Sequence, residues 1–144
     1  MEMQNQIKEY VAQYEKEVRK LADQLRNECM PQPTEELFSE FETNGNRIRY
    51  EAVYFGRRKF LSVLGLASVI WREKEDIQKL EEVIREICAE ECWALPAHVR
   101  RKENPNWRGV IDLFASETGQ TLAHITTLLK DELSEDVITL AQNE

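Results

Sequence analysis

The chain has 144 residues, of which 42% are hydrophobic, with 19 lysines and arginines against 27 aspartates and glutamates. This length predicts one compact domain, and the apolar fraction excludes a disordered chain. The net charge of −8 argues against a nucleic-acid binder. No apolar run is long enough to span a bilayer, and three cysteines without a secretory leader predict reduced thiols and a cytoplasmic location.

The first half of the chain predicts three helices. Over about 5–27, apolar residues recur at alternating steps of four and three, which places them on one face of a helix. These residues are Ile7, Val11, Tyr14, Val18, Leu21 and Leu25. Two prolines follow, and Thr34 is a suitable cap for a short second helix that ends in an Asn-Gly turn at 43–46. The third helix, over about 47–71, is apolar nearly all round in its second half and should be buried.

The second half predicts three more helices around one irregular region. They run from about 74 to 88, from 110 to 130 and from 134 to 142, with prolines and polar residues across 92–109. On the fifth helix the predicted inward face is Ile111, Phe114, Ala115, Thr118, Leu122, Ile125 and Leu129. Gly65 is small enough to let another helix approach the third one closely. The chain therefore predicts an all-α fold built from helical hairpins.

Positive charge is concentrated in two short stretches. Residues 46–59 hold five basic and one acidic side chain, and residues 93–108 hold four and one. An anionic ligand would be attracted to these two places. The alternative is a chance segregation of charge on a solvated surface. The Arg57-Arg58-Lys59 run either lines the same cleft as the loop after the fourth helix or, as is more common, is the solvated side of the third helix.

The loop after the fourth helix carries the candidate ligand-binding residues Trp93, His98, Arg100, Arg101 and Trp107. Indole faces stack on sugar rings, and guanidinium groups bind carboxylate or sulfate in bidentate fashion. The mixture suits an acidic carbohydrate. The alternative is that the tryptophans anchor a long loop while the basic groups are solvated. His98 faces a cleft as an acid, base or ligand contact, or it fixes the loop by a hydrogen bond.

The sequence predicts structural rather than chemical roles for the remaining carboxylates and cysteines that could be reactive. Asp112 and Glu117 either bond loop amides or act as carboxylates in a cleft, and we expect loop support or solvation rather than a role in a cleft. Cys88 and Cys92 lack the further ligands that a zinc site needs, so they are predicted to be buried apolar side chains. We predict no catalytic residue, metal or cofactor within this chain.

Residues 87–98 (ICAEECWALPAH) and 111–119 (IDLFASETG) resemble segments of the heparinase II/III-like polysaccharide lyases. Residues 57–61 and the apolar run after them are similar in pattern to the helix that comes before those segments. The resemblance implies an α/α toroid of helical hairpins followed by a large antiparallel β domain. It also implies β-elimination at uronic-acid residues of polysaccharides such as heparan sulfate or alginate.

Members of that family are several times longer than this chain, so the resemblance implies that residues 1–144 are the N-terminal part of the toroid. The family's catalytic Asn or His, Tyr and His match no stretch here, and we expect the chain alone to be inactive. Helix faces left uncovered in a partial toroid favour a homodimer. The alternative function is a non-catalytic helical module that binds a protein through the apolar stripe of the first helix.

Overall fold

All regular secondary structure in the part of the chain described is helical. The computed structural model describes residues 2–144, and for residues 2–4 and 7 it describes the backbone alone. In it 73% of residues are helical and none lies in a strand, which confirms the predicted all-α class. None of the helices described is long and apolar enough to cross a membrane. The helices are α1 (Glu2–Arg26), α2 (Glu35–Asn44), α3 (Ile48–Trp71), α4 (Lys74–Cys88), α5 (Pro96–Val99), α6 (Leu113–Leu128) and α7 (Glu135–Gln142), with a 3-10 turn at Trp107–Gly109.

The helix ends follow the signals in the sequence, with two differences. Thr34 caps α2 as predicted, since its hydroxyl accepts the Leu37 N–H at 3.3 Å. Gly45 ends α2 at φ 76°, a left-handed conformation that favours glycine. The fifth predicted helix begins at residue 113 instead of 110, because Asp112 is its cap. Residues 96–99, predicted to be irregular, form the single turn α5 with proline at its first position.

The main core surrounds α3, which packs on α1, α4 and α6, while α4 also packs on α7. Close approach of α3 and α6 depends on Gly65, because a Cβ there would lie 2.5 Å from Ile125 Cδ1. Five residues of the predicted inward face of α6 are buried: Ala115, Thr118, Leu122, Ile125 and Leu129. Phe114 is half-buried. The prediction for Ile111 is wrong, because this residue precedes the helix and is 78% exposed.

A second, aromatic cluster lies apart from the main core and holds the loop that follows α4. It joins α2, α3 and the loop through Phe38, Tyr50, Tyr54, Cys92, Ala94, Leu95, Val99 and Trp107. The Phe38 ring stands perpendicular to Tyr50 and tilted against Trp107, with centroid distances of 5.3 Å in both pairs. Aromatic pairs in these arrangements are attractive beyond the area that they bury.

Only the C-terminal half of the apolar stripe of α1 is buried in the fold. Val18 and Leu25 are buried in the main core, and Leu21 is half-buried. Towards the N terminus, Val11 is 51% and Tyr14 58% exposed. The stripe's first member, Ile7, lies outside the side chains that the structure describes. The predicted helix is therefore confirmed, but its stripe continues beyond the core that it packs against.

Candidate functional site

Asp112 connects the end of the 87–98 stretch to the helix that begins within the 111–119 stretch. Its Oδ1 accepts the Ala115 N–H at 2.8 Å, which caps α6. Its Oδ2 accepts the Leu95 N–H at 3.0 Å and lies 2.6 Å from His98 Nδ1. One carboxylate thus fixes the Leu95–His98 loop to the start of α6, and the predicted loop-supporting role of Asp112 is confirmed.

The hydrogen bonds keep this carboxylate ionised. Burial acts to raise the pKa of Asp112, but the bonds from Ala115, His98 and Leu95 outweigh it and hold the pKa below its usual range. An ionised carboxylate only accepts hydrogen bonds, so His98 Nδ1 must be the donor. In a neutral imidazole Nε2 is then the nitrogen that carries the lone pair.

His98 is the member of the predicted set that combines exposure with a defined orientation. Its side chain is 39% exposed, and its ring lies parallel to the Phe114 ring with centroids 6.3 Å apart. Phe55, 42% exposed, meets Phe114 edge-on at 5.3 Å. These three rings form a surface on which a ligand could contact both apolar side chains and an imidazole nitrogen.

The two tryptophans lie in different parts of the molecule. Trp93 packs against the main core, and its indole N–H donates to the Ile87 carbonyl at 2.9 Å. Trp107 belongs to the second cluster and is 8% exposed. The structure therefore does not bring the two indoles together in one cleft, and their contacts match the alternative in which each anchors one end of the loop.

The basic residues of the loop are largely held by the protein itself. Arg101 binds Glu35 at 2.6 Å and Ser39 Oγ at 2.8 Å. Its guanidinium carbon also lies 5.1 Å from the centre of the Phe38 ring. Arg108 lies over the Trp107 ring, 4.4 Å from its centre. By contrast Arg100, which ends α5 in a left-handed conformation, has a side chain that is 77% exposed.

Arg57 and Arg58 of α3 form a largely buried ion cluster with Glu90 that the sequence did not predict. Arg57 is 2% exposed, so the expected wet side of the helix is wrong at this position. Its Nε donates to Glu90 Oε1 at 2.5 Å, and Arg58 Nη1 donates to both oxygens of Glu90 at 2.7 Å. Two adjacent basic residues directly before the predicted buried half of the helix are the signal that a carboxylate partner was needed, but nothing local identified Glu90.

A cavity of about 480 Å³ opens beside this ion cluster. Its lining includes Phe38, Tyr50 and Trp107 of the second cluster and the acidic residues Glu35, Glu86, Glu90 and Glu91. Arginines pair with these carboxylates: Arg101 with Glu35, Arg57 with Glu86, both Arg57 and Arg58 with Glu90, and Arg108 with Glu91. The cavity therefore has no excess of positive charge with which to draw in an acidic sugar.

Cys88 and Cys92 match the prediction of buried apolar side chains. Cys88 and Cys92 are each 7% exposed. Burial raises the pKa of Cys88 to about 11 and also raises that of Cys92. Among the described residues, no group of three or more His, Cys, Asp or Glu side chains could hold a metal ion.

Comparison with known proteins adds no relative from which a function could be transferred. No family profile matches the chain, and no curated protein matches it.

Proposed function

We propose that this chain is the N-terminal helical part of a cytoplasmic polysaccharide lyase of the heparinase II/III-like family, which acts by β-elimination on uronic-acid-containing polysaccharides. The observation that carries the proposal is the unit around Asp112. Residues 87–98 and 111–119 resemble the family separately, and Asp112 bonds the end of the first stretch to the helix start in the second. Because the two stretches form one structural unit, their joint occurrence in this chain supports the proposal more than either resemblance alone.

Exposed apolar side chains support the toroid part of the proposal. In the α3–α4 and α6–α7 hairpins, Ile70 is 37%, Leu113 67% and Leu128 54% exposed. In a toroid each hairpin is covered by its neighbours, so further hairpins of the proposed toroid, outside residues 1–144, would bury these side chains.

The contacts assign a mainly supporting role to the predicted binding residues. β-Elimination needs a base at C5, a group that neutralises the uronate carboxylate, and an acid for the leaving oxygen. Trp93, Arg101 and Trp107 are engaged in internal contacts. His98 and Arg100 are the members of the set with exposed side chains, so any contact with an acidic oligosaccharide is proposed to pass through them.

The assay compares two proteins on heparan sulfate, alginate and chondroitin sulfate. The ultraviolet absorbance of unsaturated uronate should rise with the product of the complete reading frame and stay flat with residues 1–144. Turnover by the 144-residue chain would contradict the supporting role assigned here. No product from the complete frame on any uronate polymer would contradict the lyase itself.

A second candidate, the non-catalytic protein-binding module, is favoured by one observation. Every residue from Lys8 to Glu17 in α1 is exposed, although α1 carries an apolar stripe. A helix that presents apolar side chains outside the core is suited to pack on another helix. Deletion of residues 1–16 would distinguish the two functions, because it should abolish partner capture by a module and leave the unit around Asp112 intact.

A further inference from the structure

The N-terminal arm, defined as residues 8–17 of α1, extends beyond the globular part of the protein. All ten residues are exposed, and among the side chains of this helix that the structure describes, the first buried one is Val18. At a rise of about 1.5 Å per residue the arm is roughly 15 Å long. Tyr10 is 74% exposed, in addition to the exposed Val11 and Tyr14.

A helical segment of this length gains little stability without a packing partner. Isolated helices shorter than about 12–15 residues are marginal in water, and most helices in proteins depend on packing of an apolar face. Val11 and Tyr14 continue the same stripe that packs into the core at Val18 and Leu25. The arm therefore presents a face that is already suited to helix packing.

The charges beside the stripe specify which partner fits. With Val11 and Tyr14 as the a and d positions of a heptad, Lys8 and Glu15 are both at e. In an antiparallel pair of identical arms, e faces e, so Lys8 of each copy lies opposite Glu15 of the other, twice by symmetry. In a parallel pair g faces e, and Tyr10 would face Glu15 without an ion pair.

We propose that the arms of two copies of this chain pack against each other as an antiparallel helix pair. Two large aromatic side chains and a valine per copy bury on the order of 300 Å² of that copy's surface. This is below the roughly 800 Å² per partner of a standard stable interface, so the dimer is weak and forms as concentration rises. The inference does not rest on the lyase proposal.

Sedimentation equilibrium over about 10 µM to 1 mM protein tests the dimer itself. The expected result is a monomer at the low end and a growing dimer fraction at the high end. Tyr14→Glu places a charge in the centre of the packed face and should leave a monomer throughout, with the helical circular dichroism signal of the globular part retained. A wild-type monomer over the whole range would overturn the proposal.

Charge reversal tests the antiparallel arrangement. Lys8→Glu or Glu15→Lys alone should weaken dimerisation about tenfold, because each turns two attractive pairs into two repulsive ones. The double variant Lys8→Glu with Glu15→Lys should restore the wild-type constant. Lys16→Glu, at the outward f position of the same arm, is the matched control and should have little effect. A double variant no better than the single ones would refute the antiparallel pairing.

Discussion

Replacement of Asp112 by alanine should destabilise the fold more than any ordinary surface substitution. Its carboxylate accepts hydrogen bonds from two backbone N–H groups and from the His98 ring, so this one substitution leaves three donors without their acceptor. The side chain is 9% exposed, and Leu95, whose N–H it accepts, is 1% exposed. Water cannot readily replace the lost acceptor at Leu95.

The magnitude follows from two contributions. Loss of a helix cap costs about 0.5–2 kcal/mol of unfolding free energy. A buried backbone N–H left without an acceptor costs about 1–3 kcal/mol. We therefore expect Asp112→Ala to lower the free energy of unfolding by about 1.5–5 kcal/mol. Asp112→Asn should lower it by less, since the amide oxygen can still cap the helix.

Urea denaturation followed by circular dichroism measures this difference. Asp131→Ala, an exposed aspartate outside the helices, is the matched control and should change stability by less than about 0.5 kcal/mol. If Asp112→Ala were as mild as the control, the carboxylate would not hold the loop to α6, and the observation that supports the lyase proposal would lose its force.

The same carboxylate predicts an acid sensitivity. The pKa of Asp112 is lower in the folded protein than its usual value of 3.8, so the unfolded chain binds the proton more readily. The contribution of Asp112 is fully present above that usual value and is lost as the pH falls through the folded pKa. Wild-type stability should therefore decline more steeply below about pH 4 than that of Asp112→Asn. Parallel pH profiles of the two proteins would contradict the lowered pKa.

Two further predictions concern packing and the thiols. Gly65→Ala should destabilise the protein by about 1–3 kcal/mol through overpacking. Gly119→Ala, where a Cβ would meet Trp93 at an ordinary 3.9 Å, should be neutral or stabilising by up to about 1 kcal/mol. Equal effects of the two changes in a urea titration would refute the close approach of α3 and α6. In the folded protein, iodoacetamide at neutral pH should modify the exposed Cys29 and spare Cys88 and Cys92. Mass spectrometry should detect one adduct, and rapid formation of three would contradict the burial of the two thiols.

Local periodicity and caps were sufficient to predict most of the fold. Helix positions follow from apolar spacing, and Thr34 and Gly45 act over a few residues, so the sequence identifies them directly. The start of α6 was misplaced because the capping role of Asp112 was not recognised. The turn at 96–99 was missed because four residues are too few to show a helical period.

The candidate site was less predictable because its partners are distant in sequence. Arg57 and Glu90 are 33 positions apart, and Arg101 and Glu35 are 66 apart. From the sequence alone a basic stretch looks free to bind an anionic ligand, because the carboxylates that neutralise it belong to helices distant in sequence. The two basic stretches are present in the sequence, but in the fold several of their arginines form ion pairs with carboxylates of the same chain.

The sequence of the reading frame across the codon for Glu144 tests the central claim most directly. The account predicts an uninterrupted frame that continues through motifs with Asn, His and Tyr and then a β-rich region. A stop codon directly after Glu144 would contradict the lyase proposal and favour the non-catalytic module.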